Sequence, residues 1–91
     1  MASYPLAGVR VVDFTQAWAG TSAVRVLCRM GAEVIKIESS KHVDITRNFE
    51  PQADHVRGIE RGGMFHELNL GRLDITLDLH QPKAVQIVKV L

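Results

Sequence analysis

The chain has 91 residues, of which 46% are hydrophobic and 23% charged. This length allows one small domain, and the hydrophobic content argues against disorder. Eleven basic residues nearly cancel ten acidic ones, leaving a formal net charge of +1. That balance provides neither the basic stripe that nucleic-acid binding needs nor an acidic tail. We therefore expect no nucleic acid among the partners.

The compartment is predicted from cysteine use and from apolar runs. The single cysteine, Cys28, cannot form an internal disulfide. No apolar run approaches the roughly 20 residues of a membrane span, and the first residues lack the basic and apolar regions of a secretory signal. The sequence is thus expected to belong to a cytoplasmic protein that does not bind membranes.

The first part of the chain predicts a strand, a helix and a second strand. Val9–Phe14 is a valine-rich apolar run, typical of a central strand with both faces buried. Thr21 or Ser22 is a suitable N-cap for the helix, and Gly31 is placed to end it in a left-handed conformation. Ala32–Ile37 reads as the second strand. Two strands joined by a helix in this way predict a right-handed parallel crossover.

The predicted helix has an apolar face made by four residues: Ala23, Val24, Leu27 and Cys28. Residues 38–72, in contrast, show weak periodicity and contain His42, His55 and His66. Met64, Phe65 and Leu68 there are spaced for one helical turn. A structureless stretch of this length is unusual in a compact domain and is often functional.

The last part predicts a third strand at Ile75–Leu79 and a helix with Pro82 at its first position. The helix carries an apolar stripe of Ala84, Ile87, Val88 and Leu91. We expect exposed apolar surface at Val85, Ile87, Val88 and Val90, and hence self-association or instability of the chain alone. The predicted fold class is α/β: the N-terminal β-α-β part of a Rossmann-like parallel sheet, truncated.

The turn Thr15–Thr21 is the first candidate site. Ligands of doubly wound sheets sit outside the carboxyl ends of the strands, where a helix N-terminus can accept a phosphate. The turn has one glycine, Gly20, and matches neither dinucleotide nor P-loop fingerprints. A ligand-binding turn and an ordinary connection both remain open. Trp18 could stack on an adenine or close an acyl pocket, but packing in a core or at an interface is the favoured interpretation.

Other reactive side chains have simpler interpretations. Asp13 and Asp78 lie near predicted strand ends, where an aspartate can be catalytic or can cap a turn. Capping is favoured for Asp13, and Asp78 is left open. Cys28 is predicted to be buried and inert. The four histidines (His42, His55, His66 and His80) show no metal-ligand spacing, so no metal site is expected.

Four blocks carry a resemblance to a known family. PLAGVRVVDFTQAWAG, MGAEVIKIE, DITR and NLGRLDITLDLHQP, in this order, resemble the N-terminal signatures of class III coenzyme A transferases. That family includes formyl-CoA and carnitine CoA transferases, and the α-methylacyl-CoA racemases share its fold. The resemblance covers most of the chain from Pro5 to about Leu91, and residues 48–64 match it poorly.

The resemblance implies an activity and an assembly. Family members move coenzyme A from an acyl-CoA donor to a carboxylic acid through an aspartyl-CoA intermediate, and two chains interlock as a homodimer. The nucleophilic aspartate of the family lies downstream of the matching segment. Residues 1–91 are accordingly expected to be the N-terminal portion of a Rossmann-like CoA-binding domain, without catalytic residues and inactive alone.

The resemblance also implies which residues contact coenzyme A. These candidates are Gln16, Ala17, Trp18, Ala19, Ser39, Arg72, Leu77, Asp78, Leu79 and His80. Some positions depart from the family pattern, which often has histidine at Gln16, glutamine at Trp18, arginine at Ser39 and lysine at His80. The altered turn predicts a more apolar acyl pocket, and Ser39 cannot supply an ionic contact.

Three alternative functions remain open. An acyl-CoA racemase of the same family shares this N-terminal segment, although the sequence motif that begins with DFTQ favours a transferase. A non-catalytic module that binds coenzyme A or a nucleotide is a second alternative. An NAD-dependent dehydrogenase is a third, at the level of the fold. The missing glycine fingerprint counts against it, and Glu38 at the end of the second strand is weak evidence alone.

Overall fold

The computed structural model describes residues 3–91. Its strands and longer helices are, in chain order, β1 (Arg10–Asp13), α1 (Ala19–Arg29), β2 (Glu33–Glu38), α2 (Gly63–Leu68), β3 (Leu73–Thr76) and α3 (Pro82–Val90). The strands form one parallel sheet in the order β1-β2-β3. The predicted α/β class, with a helix joining the first two parallel strands, is confirmed.

The middle strand of this sheet is β2. Its residues Val34 to Glu38 are all buried, and Val34 packs with Val24 of α1 and with Ala32. β1 was expected to be central, and this prediction is wrong for the described residues. β1 pairs only with β2, so Val11 and Val12 stay half-buried at a sheet edge. A short valine run alone does not distinguish the two positions.

Helix α1 begins earlier than predicted. Trp18 is the N-cap residue, and no side chain caps the helix. Thr21 cannot serve as the cap because it lies fully buried inside the first turn, with its Oγ1 3.3 Å from that of Thr15. Of the predicted apolar face, Ala23 is exposed, whereas Val24 is buried. Gly31 has φ +101°, so the predicted left-handed helix end is confirmed.

Strand β3 is also displaced from its predicted position of Ile75–Leu79. It spans Leu73–Thr76, because its register pairs Thr76 with Glu38, the last residue of β2. Beyond that pair β2 offers no further strand partner. Leu77 N still donates to the Glu38 carbonyl at 2.7 Å, and the chain then leaves the sheet. Residues 77–80 therefore follow the strand and border its end.

The segment between β2 and β3 is more ordered than expected. It contains two 3₁₀ helices, Ile45–Asn48 and Ala53–His55, before α2. The predicted helical turn with Met64, Phe65 and Leu68 is confirmed as α2.

The last helix, α3, begins with Pro82 as predicted. Of its apolar residues, Val85, Ile87 and Val90 are exposed as expected, and Val88 is half-buried. Self-association stays a prediction. Within residues 3–91, no helix combines the length and the apolar character needed to cross a membrane.

Candidate functional site

The carboxyl ends of the three parallel strands meet at one edge of the sheet. A cleft of about 220 Å³ opens there. It is lined by Phe14, Gln16, Ile37, Glu38, Ser39, His42, Leu77, Asp78, Leu79 and His80. Each strand thus contributes the residues that follow it, as expected for a ligand site in a parallel α/β sheet.

The cleft unites six of the ten predicted cofactor residues: Gln16, Ser39, Leu77, Asp78, Leu79 and His80. Ala17 and Ala19 lie in the turn that carries Gln16, and Ala19 is the first residue of α1. Trp18 and Arg72 do not line this cleft. Three sequence segments that are far apart in the chain are therefore neighbours in space.

The cleft combines apolar walls with a polar rim. Phe14, Leu77 and Leu79 supply apolar surface, and the Phe14 side chain is accessible at 52% exposure. His42 and His80 supply polar nitrogens. The volume is below the roughly 300–1,000 Å³ of typical ligand pockets, so a large ligand would occupy the cleft with only one of its parts.

Asp78 caps the loop after β3. Its Oδ1 accepts a hydrogen bond from His80 N at 3.0 Å and lies 3.1 Å from His80 Nδ1, while Lys41 Nζ lies 3.7 Å from Oδ2. The hydrogen bonds from His80 and the charge of Lys41 lower the pKa of Asp78. The geometry is that of an Asx turn, which resolves the open interpretation of Asp78 towards capping.

Asp13 also caps a turn, as predicted. Its Oδ1 accepts from Thr15 N at 2.8 Å and from Thr15 Oγ1 at 2.5 Å. Its Oδ2 accepts from Arg72 Nη1 at 2.8 Å, and both side chains are at most 1% exposed. Arg72 also donates to the carbonyl oxygen of Thr21 and to Asn69 Oδ1. Arg72 thereby links β3 to the first turn of α1.

A second buried ion pair contacts the turn itself. Lys36 Nζ donates to Asp44 Oδ2 at 2.7 Å and to the Thr15 carbonyl at 2.9 Å. Asp44 Oδ1 accepts from Ala17 N at 3.2 Å. Burial alone would raise the pKa of Asp44, but hydrogen bonds from Lys36 and Thr46 lower it overall. Asp44 is therefore held as a carboxylate.

A third cluster lies beside it and joins β2, the following loop and β3. Arg47 donates from Nη2 to Glu38 Oε1 at 2.6 Å and to Asp74 Oδ2 at 3.1 Å. Its guanidinium carbon lies 3.6 Å from the ring centre of Phe65, in cation–π geometry. The cluster fixes the loop to the strand ends.

The sequence interpretation missed Lys36, Asp44 and Arg47. Signals for them existed: Lys36 interrupts the apolar run of Val34, Ile35 and Ile37, and Asp44 and Arg47 are the first and last residues of the DITR block. A charge within a strand that has both faces buried requires a partner, so Lys36 could have been predicted to be paired. Its partner could not be identified from spacing.

Trp18 is 56% exposed, so it does not pack in the core of the described residues, and packing at an interface stays a prediction. It lines a groove of about 500 Å³ between α1 and α2, together with Ser22, Met64 and Leu68. The groove adjoins the turn but is separate from the cleft.

The histidines and the cysteine show no metal centre in the part of the chain that is described. There, no three His, Cys, Asp or Glu side chains form a group that could hold a metal ion. Cys28 Sγ lies 3.3 Å from the Gly71 carbonyl oxygen, which places it in the packing between α1 and the turn before β3.

Comparison with known proteins gives consistent matches over nearly the whole chain. The family model described as CoA-transferase family III matches residues 6–91. The chain is 34% identical over 89 residues to the succinate–glutarate CoA-transferase of Agrobacterium fabrum, covering 96% of this chain and 22% of that protein. It is 36% identical over 86 residues to a formyl-CoA:oxalate CoA-transferase of Rhodopseudomonas palustris, covering 94% and 19%.

Solved structures agree. A CAIB/BAIF family protein from Brucella suis superposes with a TM-score of 0.79 at 32% identity, over 97% of this chain and 23% of that one. A hypothetical protein from Mycobacterium tuberculosis gives a TM-score of 0.74 at 35% identity, over 93% and 22%. The chain spans about one fifth of the length of the curated relatives it matches.

Proposed function

The chain belongs to CoA-transferase family III, and from this premise we propose that it forms the coenzyme A-binding edge of an enzyme that transfers coenzyme A between carboxylic acids. The observation that carries the proposal is the cleft at the strand ends, where six predicted cofactor residues meet. Relatives named for succinate, glutarate, formyl-CoA and oxalate support a carboxylic acid as the acceptor.

The cleft suits the nucleotide end of coenzyme A. In the proposed complex, the adenine ring packs on the apolar surface of Phe14, Leu77 and Leu79. His80 and the nearby Lys41 face its phosphates. The first-turn N–H groups of α1 have no acceptor within the helix and carry a partial positive charge, so they favour an anionic or polarised group of the thioester arm.

The nucleophile in this proposal lies outside these residues. Asp13 and Asp44 are buried and held by Arg72 and Lys36, which makes each a structural carboxylate. In the proposed reaction an aspartate attacks the acyl-CoA carbonyl carbon, the C–S bond breaks, and a mixed anhydride and coenzyme A thiolate form. The thiolate attacks the aspartyl carbonyl and releases the donor carboxylate. The resulting aspartyl-CoA thioester passes coenzyme A to the acceptor by the reverse steps.

We further propose the wider setting that the resemblance implies. Residues 1–91 would form the N-terminal portion of a Rossmann-like CoA-binding domain in an interlocked homodimer. A cytoplasmic location fits an unpaired cysteine that packs against a backbone carbonyl.

Titration of coenzyme A into the isotope-labelled chain tests the proposal. Amide shifts should concentrate at Gln16, Ser39 and residues 77–80. Leu79→Glu, which adds a negative charge beside the phosphates at a position 43% exposed, should weaken binding at least tenfold. Val56→Glu makes the same change at an exposed position outside the cleft and should leave binding within twofold. Equal effects of the two substitutions, or shifts confined to other residues, would refute the site.

A further inference from the structure

The backbone on either side of Gln16 is held by one buried ion pair. Lys36 Nζ donates a hydrogen bond to the Thr15 carbonyl oxygen, and Asp44 Oδ1 accepts one from the Ala17 amide. The two charged groups are themselves joined at 2.7 Å. The pair therefore contacts the residue before Gln16 and the residue after it.

The conformation that this pair holds is strained. Ala17 has φ +61°, in the left-handed region that side chains other than glycine rarely adopt. Such a conformation persists only where the surroundings impose it. The contact from Asp44 to the Ala17 amide is in the position to do so.

Stability alone does not explain the pair. Lys36 and Asp44 are 1% and 0% exposed, so both charges have lost their hydration. A buried ion pair of this kind is often no more stabilising than apolar side chains of similar volume, although removal of one partner alone is costly. Charged residues at both positions therefore indicate that the pair serves to fix the conformation of the turn.

We infer that Lys36 and Asp44 are positioning residues that hold Gln16 and the strained Ala17 at the mouth of the cofactor cleft. This inference rests on the proposed coenzyme A site, because Gln16 lines that cleft. Neither residue itself lines the cleft. They act through the backbone of the turn, and Asp44 is in turn oriented by its own amide, which donates to Glu38 Oε2 at 2.9 Å.

The test removes both charges together. In Lys36→Met/Asp44→Asn, the asparagine oxygen still accepts from the turn and no unpaired charge is buried, whereas the Thr15 carbonyl loses its donor. We expect folding to persist and coenzyme A affinity to fall at least tenfold. Arg10→Met/Glu33→Gln neutralises the exposed pair Arg10–Glu33 in the same way and should leave affinity within twofold. Unchanged affinity in Lys36→Met/Asp44→Asn would overturn the inference.

A second measurement needs no ligand. Ala17→Gly relieves the left-handed strain, so in the wild-type background it should raise the urea midpoint. In Lys36→Met/Asp44→Leu the Ala17 amide loses its acceptor and the Thr15 carbonyl loses its donor, so the turn is released and the same substitution should lower the midpoint because glycine only adds chain entropy. The same sign in both backgrounds would overturn the inference. If the wild-type chain does not bind coenzyme A, the proposed function is refuted. The urea midpoints of Ala17→Gly in the two backgrounds would then still test the positioning role without any ligand.

If the double variant does not fold, the wild-type chain still provides a test through amide hydrogen exchange. The Ala17 amide should exchange slowly although it lies outside any helix or strand, because Asp44 accepts it. Exchange at the rate of an exposed turn would overturn the inference.

Discussion

Glu38 and Asp74 accept hydrogen bonds from the same guanidinium nitrogen, Nη2 of Arg47, yet their pKa values move in opposite directions. Burial would raise the pKa of Glu38, but hydrogen bonds from Arg47 and Asp74 lower it to about 2. Burial, followed by the hydrogen bond with Glu38 and the charge of Glu38, raises the pKa of Asp74 to about 7. Glu38 is thus held ionised, whereas Asp74 binds its proton more tightly than an ordinary aspartate does.

This arrangement predicts a pH-dependent stability. The folded state binds the Asp74 proton more tightly than the unfolded state, so its contribution is complete below pH 3.8 and is lost as the pH rises towards about 7. Asp74→Asn mimics the protonated form. The free energy of unfolding of Asp74→Asn, relative to that of the wild type, should therefore rise between pH 3.8 and about 7, by at most about 1.4 kcal/mol per pH unit. Urea denaturation at several pH values measures the difference.

Glu38 makes the opposite contribution in the same experiment. Its stabilisation is present above pH 4.5 and is lost as the pH falls towards about 2.

The control for Asp74→Asn is Glu33→Gln, which neutralises an exposed carboxylate and should follow the stability of the wild type at each pH. Parallel curves for Asp74→Asn and the wild type would contradict the assignment of the raised pKa to Asp74.

Removal of Arg47 should cost far more than removal of another arginine in the same loop. Arg47→Ala leaves Glu38 as an uncompensated buried charge and removes the packing on Phe65, so we expect a loss of about 3–5 kcal/mol in unfolding free energy. Arg57→Ala removes a side chain that is 73% exposed and should change stability by less than about 0.5 kcal/mol. Similar losses for both variants, measured by urea denaturation, would contradict the role of the cluster.

Gly20 is expected to tolerate no side chain. A Cβ at this position would lie 2.7 Å from Cγ2 and 3.0 Å from Cβ of Thr15. Thr15 cannot withdraw easily, because Asp13 accepts hydrogen bonds from both its amide and its hydroxyl. Gly20→Ala should therefore destabilise the chain by about 1–3 kcal/mol, despite the better helix propensity of alanine.

The paired substitution tests the cause of that loss. Thr15→Ser removes the methyl group and keeps the hydroxyl, so Gly20→Ala/Thr15→Ser should recover part of the lost stability. Thermal unfolding of the two single variants and the double variant gives the coupling between the positions. Additive losses would show that the methyl group is not the obstacle.

Arg72 should act through folding of the turn. Arg72→Met leaves the buried Asp13 carboxylate without its counter-charge, for a loss of about 3–5 kcal/mol. Asp13→Asn/Arg72→Met keeps an acceptor for Thr15 and buries no charge, so it should recover at least about 1 kcal/mol of this loss. Urea denaturation measures the recovery. The resemblance implied a contact between Arg72 and coenzyme A; affinity that is lost in Arg72→Met and kept in the stable double variant would show that Arg72 acts through the turn instead.

The local signals of the sequence predicted most of the secondary structure. Val34, Ile35 and Ile37 mark a buried strand, Gly31 the end of a helix and Pro82 the start of another, because each preference arises from the residue and its immediate neighbours. The limits of β3 could not be found in this way, since they depend on where β2 ends.

The buried charges are the larger omission. The apolar neighbours of Lys36 indicate a buried, paired charge, but nothing in the sequence identifies its partner, and only the fold shows that Asp44 and Arg47 are buried as well. Their pairing depends on contacts across the sheet and the following loop, such as Arg47 with Asp74, 27 positions apart. The cleft could be anticipated better, because the resemblance supplied residues that the parallel strands then brought together.

The loop after β2 is attached by a chemistry different from that of α1. Its buried side chains are polar (Asp44, Thr46, Arg47 and Gln52), whereas α1 is held by contacts such as Val24 on Val34. Exposure of apolar surface raises heat capacity and exposure of polar surface lowers it. Detachment of the loop should therefore have a much flatter temperature dependence than unfolding of α1 from the sheet. Cooling weakens the hydrophobic contacts of α1, so it should destabilise the attachment of the helix more than the attachment of the loop that borders the cleft.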